Sequence, residues 1–162
     1  MPFSDVLSAN ESYAAQFDGD SLTGQAAKGL AVLTCIDTRI DPLGMLGLRP
    51  GDAKILRNAG ARVTDDVLRT LVLASYLLNV DRVMVIAHTD CRMVGGTDED
   101  VHDAIASAGG PDTRSLAFQV SDDVEETLRQ DVRRITSSPY LTAVEVGGFL
   151  YDVHTGRLSQ LC

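Results

Sequence analysis

The sequence predicts an α/β fold, a three-layer α/β/α sandwich around a mostly parallel central sheet. Three observations carry this. Short apolar runs alternate with helix-period segments through the middle of the chain. Two of the runs, 30–33 and 83–87, are continuously apolar, as strands covered on both faces are. Cys35, Arg57 and His88 each fall at the end of a different predicted strand, the edge where parallel sheets bind ligands. At 162 residues the chain reads as one domain, with residues 1–28 as an N-terminal arm.

Residues 5–17 form a short helix or arm, whose apolar positions Val6, Leu7, Tyr13, Ala14 and Phe17 call for a surface to lie on. The polar, Gly-containing stretch 18–28 is a connector. The first strand, 30–35, leads past Pro42 into a short helix near 43–46 and a turn at Arg49-Pro50-Gly51-Asp52. A second strand follows at 53–57. The helix at 64–79 is capped by Thr64, with Asp65 and Asp66 at its positive end. It is apolar on more than one face (Val67, Leu68, Leu71, Val72, Leu73, Leu77, Leu78), so it is either fully buried or part of a subunit interface.

The third strand is 82–87, and a helix at 98–108 has Thr97 as its cap. Gly109-Gly110-Pro111 opens an irregular stretch. A helix at 122–135, capped by Ser121, puts Val124, Leu128, Val132 and Ile135 on one face, with acids early and arginines late. A last strand near 143–152 is followed by a hairpin through Thr155-Gly156.

Fourteen basic and 23 acidic residues leave a net charge of −9 with no basic cluster, which argues against nucleic acid or an anionic membrane as partner. No run approaches the roughly 20 apolar residues that span a bilayer, and residues 1–19 lack the regions of a signal peptide. Three distant cysteines do not make a disulfide framework, so a cytoplasmic location is expected.

Chemistry concentrates in two motifs, Cys35-Ile36-Asp37-Thr38-Arg39 and His88-Thr89-Asp90-Cys91, each directly after a buried run. Two thiolates and one imidazole suit Zn²⁺, and three protein ligands leave a fourth position for water, the count of a catalytic site. Asp37 and Arg39 stand two residues apart. As a surface ion pair they would contribute about 0–1 kcal/mol. Beside a metal ligand, Arg39 instead keeps Asp37 ionised as an acceptor at the open position. After Arg57-Asn58-Ala59-Gly60, Gly60 supplies a positive φ, and backbone N–H groups there line the pocket. Thr89 and Asp90 support the site or are exposed. His102 on a polar helix reads as solvated, His154 as a turn residue, and Cys162 as a frayed free thiol.

Taken together, Cys35-x-Asp37-x-Arg39, Arg57-Asn58-Ala59-Gly60 and His88-x-x-Cys91 resemble the β-class carbonic anhydrase family. The motifs span roughly residues 28–100; length and element order, through Gly148-Phe149-Leu150-Tyr151-Asp152 and Thr155-Gly156-x-Leu158, extend the likeness to the whole chain and to the short actinobacterial members. The resemblance implies one zinc per chain on Cys35, His88 and Cys91, with Asp37 and Arg39 as the catalytic dyad. In some members this Asp becomes a fourth metal ligand at lower pH, so Asp37 is also a conditional ligand. The implied reaction is reversible hydration of CO₂ to bicarbonate and a proton. The implied assembly is a homodimer or higher homo-oligomer whose N-terminal helices embrace the neighbour. Two other readings stand beside it: a carbonyl sulfide hydrolase using the same zinc chemistry, and a non-catalytic zinc domain closed by Asp37. One departure is Arg92, where the family has Gly after the second Cys; it requires a modified turn and places a cation that could attract bicarbonate.

Overall fold

The computed structural model describes residues 2–162. Its centre is a five-stranded sheet in the order β2-β1-β3-β4-β5. The strands are β1 (Leu30–Cys35), β2 (Ala53–Asn58), β3 (Arg82–His88), β4 (Glu145–Tyr151) and β5 (Leu158–Gln160). The first four are mutually parallel, and only β5 is antiparallel, hairpinned onto β4 through a turn with Gly156 at φ 71°. This is the expected α/β architecture with a mostly parallel sheet.

The sheet is covered by α2 (Asp65–Leu77) and α4 (Val124–Thr136) on the face built from Ala31, Leu33, Val83, Val85 and Ala87. Leu71 and Ala74 of α2 and Leu128, Val132 and Ile135 of α4 close this core. Each buried leucine, valine or isoleucine among them contributes on the order of 1.5–3 kcal/mol relative to exposure. The opposite face, from Leu30, Val32 and Ile86, packs against Met45, Leu46 and Leu48 of the segment that contains a short 3-10 turn, Gly44–Leu46. Because β1 is central and covered on both sides, all six of its residues are buried, which explains its unbroken apolar run.

Thr64 caps α2 as expected, accepting from the Val67 N–H. Thr97 caps α3 (Asp98–Ser107) in a reciprocal capping box with Asp100. The cap of α4 differs from expectation. Asp123, not Ser121, accepts from the N–H groups of Glu125 and Glu126. Ser121 sits two residues too early, bridging to Val94 as an isolated parallel pair, with its hydroxyl bonded to Asp123 O and Thr127 Oγ1.

Two further expectations are corrected. His102 is buried, not solvated: the 113–118 segment folds over α3, placing Thr113 Oγ1 at 2.9 Å from Nδ1 and the Phe118 ring at 5.2 Å. Cys162 is not frayed: its carbonyl accepts the Gly148 N–H at 2.8 Å, so the chain end continues the β4 pairing, and its sulfur lies against Gly148, where no side chain intervenes. Of the two readings of α2, full burial does not hold within this chain. Val67, Leu71 and Ala74 are buried, whereas Leu73, Tyr76 and Leu77 are exposed. Likewise α1 (Ser4–Ala14) buries no residue against this chain, so Phe3, Val6, Leu7 and Tyr13 face outward. No helix among the described residues is long and apolar enough to cross a membrane.

Candidate metal centre

Parallel pairing of β1 with β2 and β3 puts the carboxyl ends of these strands at one edge. Cys35 ends β1 beside Asn58 of β2, and His88 ends β3. Residues from two motifs 53 positions apart therefore converge: the Cys35, His88 and Cys91 donor atoms all lie within 4.8 Å of one another. All three cysteines are free thiols.

The histidine is preset for a ligand. Its Nδ1 lies 2.8 Å from the Thr89 carbonyl, which can only accept, so Nδ1 carries the proton and Nε2 presents a lone pair. That Nε2 is buried and, among the described residues, is the one buried side-chain polar atom without a hydrogen-bond partner. A buried orphan acceptor facing two sulfurs costs free energy unless something binds there. The electrostatics agree. Hydrogen bonding from Cys91 holds Cys35 well below the usual thiol range, helped against burial by His88 and by the Gly60 N–H at 3.4 Å. Cys91 is pushed up by donating to that sulfur and by burial. Burial opposes charge on His88, but the Cys35 thiolate outweighs it and raises the imidazole above its ordinary value. Two sulfurs and an imidazole nitrogen within 4.8 Å of one another are a donor set that fits a cation such as Zn²⁺.

Asp37 stands outside the three-donor cluster. Arg39 occupies both its oxygens: Nε donates to Oδ1 at 2.9 Å and Nη2 to Oδ2 at 2.7 Å, while the Arg39 backbone N–H adds a second bond to Oδ1 at 2.9 Å. These side-chain bonds hold the Asp37 carboxyl far below the usual carboxylate range.

Several contributors escape a reading of the motifs alone. Arg57 clamps the first motif from β2, donating from Nε to Cys35 O at 2.9 Å and from Nη2 to Asp37 O at 2.7 Å. The run Arg57-Asn58 signals a strand end, but only the β1–β2 register reveals what it grips. Gly60 has φ 79°, as its residue type suggests, and its N–H points at Cys35 Sγ rather than lining an anion pocket. Asn58 closes this turn through both amide atoms to the Arg62 backbone. Arg62 in turn pairs with Asp131 of α4 at 2.8 Å and bonds Gln119 O at 2.7 Å. At Arg92 the turn is ordinary. The left-handed residue is Asp90, at φ 54°, so position 92 has no need of glycine; Arg92 is exposed and its charge acts on Asp100.

Known proteins resemble this chain in sequence and fold. The carbonic anhydrase family model matches residues 30–158. The chain is 38% identical over 158 residues to β-carbonic anhydrase 1 of Mycobacterium tuberculosis, covering 97% of this chain and 96% of that protein. It is 31% identical over 155 residues to the carbon disulfide hydrolase of an Acidianus species, covering 81% of this chain and 76% of that one. The crystal structure of a carbonic anhydrase from Streptococcus mutans matches with a TM-score of 0.92 at 33% identity, over 100% of this chain and 98% of that one. With the sheet, the three-donor edge and these matches in agreement over most of its length, the chain belongs to the β-carbonic anhydrase family.

Proposed function

We propose that this protein catalyses the reversible hydration of CO₂ to bicarbonate and a proton, with one zinc ion held by Cys35 Sγ, His88 Nε2 and Cys91 Sγ. The observation that carries the reading is the pairing of a three-donor cluster with a carboxylate kept ionised beside it. Bound there, zinc supplies Lewis acidity, which makes a hydroxide nucleophile available near neutral pH. The chain does the rest. His88 is kept in the ligating tautomer by the Thr89 carbonyl. Asp37 is ionised and can only accept, so it takes the single O–H of the attacking hydroxide and leaves a lone pair directed at the CO₂ carbon. Arg39 keeps that carboxylate ionised and engaged, away from the donors. The C–O bond forms as one C=O π pair moves onto oxygen, and the water's proton leaves to solvent.

The same reading makes the protein a cytoplasmic homodimer or larger homo-oligomer. Three free thiols suit a reducing compartment. The outward apolar residues of α1 and α2 suit a subunit interface.

The likeness to a carbon disulfide hydrolase supports a second reading in which the same site hydrolyses a linear sulfur-bearing molecule, carbonyl sulfide or carbon disulfide. Stopped-flow CO₂ hydration by the zinc-loaded protein, run beside sulfide release from carbonyl sulfide and carbon disulfide, separates the readings. Fast hydration with slow sulfide release is expected. The reverse pattern assigns the second reading, and inactivity on all three leaves a non-catalytic zinc domain.

A further inference from the structure

Asp90 lies between two of the proposed zinc ligands, His88 and Cys91, yet contributes no atom to the three-donor cluster. Its backbone is left-handed, φ 54°, a conformation that Asp tolerates better than most residues with a Cβ. In that conformation two acceptors of one residue meet the same guanidinium. Arg39 Nη1 donates to Asp90 Oδ2 at 2.6 Å, and Arg39 Nη2 donates to Asp90 O at 3.0 Å. The other edge of the guanidinium, Nε and Nη2, holds Asp37. Arg39 is thus gripped from two sides, by the motif after β1 and by the loop after β3.

We propose that Asp90 is a positioning residue: it anchors Arg39 to the loop that carries His88 and Cys91, and so sets where the Asp37 carboxylate faces the metal centre. The inference rests on the functional reading above. Arg57 holds the backbone carbonyl of Asp37, but the paired side chains of Asp37 and Arg39 can still rotate together without breaking the bonds between them. A second anchor from a different strand removes that freedom, because moving Asp37 then requires breaking the bonds to Asp90 as well. The anchor shares a loop with two of the three donors, so acceptor and donors keep one spacing. Such spacing matters: a misplacement of about 1 Å costs up to roughly 10²-fold in rate. A simple surface ion pair is the competing account, since the Asp90 side chain is 63% exposed and that of Arg39 39%. It leaves unexplained why both the carbonyl and the carboxylate of Asp90 meet one arginine.

Two variants test this in the full-length, zinc-loaded protein. Asp90→Gly keeps the left-handed turn without strain and removes only the carboxylate. Asp90→Asn tolerates the same backbone and keeps an uncharged acceptor for Nη1. Zinc content is expected to stay at the unmodified level in both. The kcat/KM for CO₂ hydration is expected to fall about tenfold in Asp90→Gly and less in Asp90→Asn, within the range for groups that support metal sites. In the Asp37→Ala background, Asp90→Gly is expected to add no further loss, because both act through one carboxylate.

A readout independent of catalysis is the NMR signal of the Arg39 Nε–H, identified by its absence in Arg39→Lys. It is expected to shift and to exchange faster with solvent in Asp90→Gly. An unchanged Nε–H signal, losses that multiply across the Asp37→Ala and Asp90→Gly pair, or loss of zinc from the Asp90 variants would each overturn the proposal. If the unmodified protein hydrates no CO₂, the functional reading fails, while the Nε–H signal still decides the role of Asp90.

Discussion

At the residue scale, both oxygens of Asp37 are taken by a single arginine. A carboxylate so held cannot protonate near neutrality and can serve only as an acceptor. Replacing it should leave the three donors untouched: Asp37→Ala is expected to retain zinc and lose roughly 10- to 100-fold in CO₂ hydration. Metal analysis beside stopped-flow kinetics checks this, and near-normal turnover would reduce Asp37 to a surface ion-pair partner. The donors should behave in the opposite way. Cys35→Ser and His88→Ala are expected to lose most of the zinc, since each removes one of only three ligands. Full zinc retention in both would reject the assignment. Cys35, His88 and Cys91 were legible because thiols and an imidazole directly after core strands are chemically distinctive. The grip of Arg57 on two carbonyls and the Gly60 N–H to sulfur were not, because generic backbone groups make them and only strand register brings those groups together.

At the scale of elements, the site depends on how the segment after α3 is held. The Asp98 carboxylate, in the first turn of α3, accepts the N–H groups of Phe118, Gln119 and Val120. This orders the chain next to Ser121, whose backbone pairs with Met93 and Gly95 just beyond Cys91. These backbone bonds, the one from Val120 foremost, lower the Asp98 pKa. The folded state therefore binds the proton less well than the unfolded chain. The stability Asp98 contributes is fully present above its unfolded value of 3.8 and is lost as pH falls through the lower folded value. Asp98→Asn is expected to lower the melting temperature at pH 7, with the difference from the unmodified protein shrinking as pH falls below 3.8. A pH-independent difference would contradict the assignment. The burial of His102 belongs to the same segment. A 3.6-residue periodicity describes which side of a helix is polar, but it cannot foresee that a distant loop will fold over that side.

At the scale of the whole molecule, the apolar surface is not spent within one chain. Tyr76 and Leu77 of α2 are 67% and 66% exposed, and α1 buries none of its residues. Apolar patches of this kind mark interfaces in soluble proteins. The protein is expected to be at least a dimer by light scattering at micromolar concentration, and removing residues 2–17 is expected to weaken the assembly. A monodisperse monomer of the full chain would contradict this. Arg62 and Asp131 show how the chain is tied together at this scale. Their buried pair links the turn beside Cys35 to α4, 69 residues away, so packing of the helix layer and geometry of the metal edge are joined.

Sequence alone determined the class of fold and the three donors. Continuous apolar runs dictate buried strands, helical periodicity dictates covering helices, and parallel strands bring their carboxyl ends to a common edge. Local chemistry also set the caps at Thr64 and Thr97, because a hydroxyl beside unpaired N–H groups acts within one turn. Tertiary structure alone decided the rest: the burial of His102, the pinning of Cys162, the turn at Asp90 and the double grip on Arg39. Each joins groups from separate segments, or depends on a backbone dihedral that its residue type does not require. Periodicity and propensity act over a few residues, whereas these contacts exist only once strand register and loop path are set.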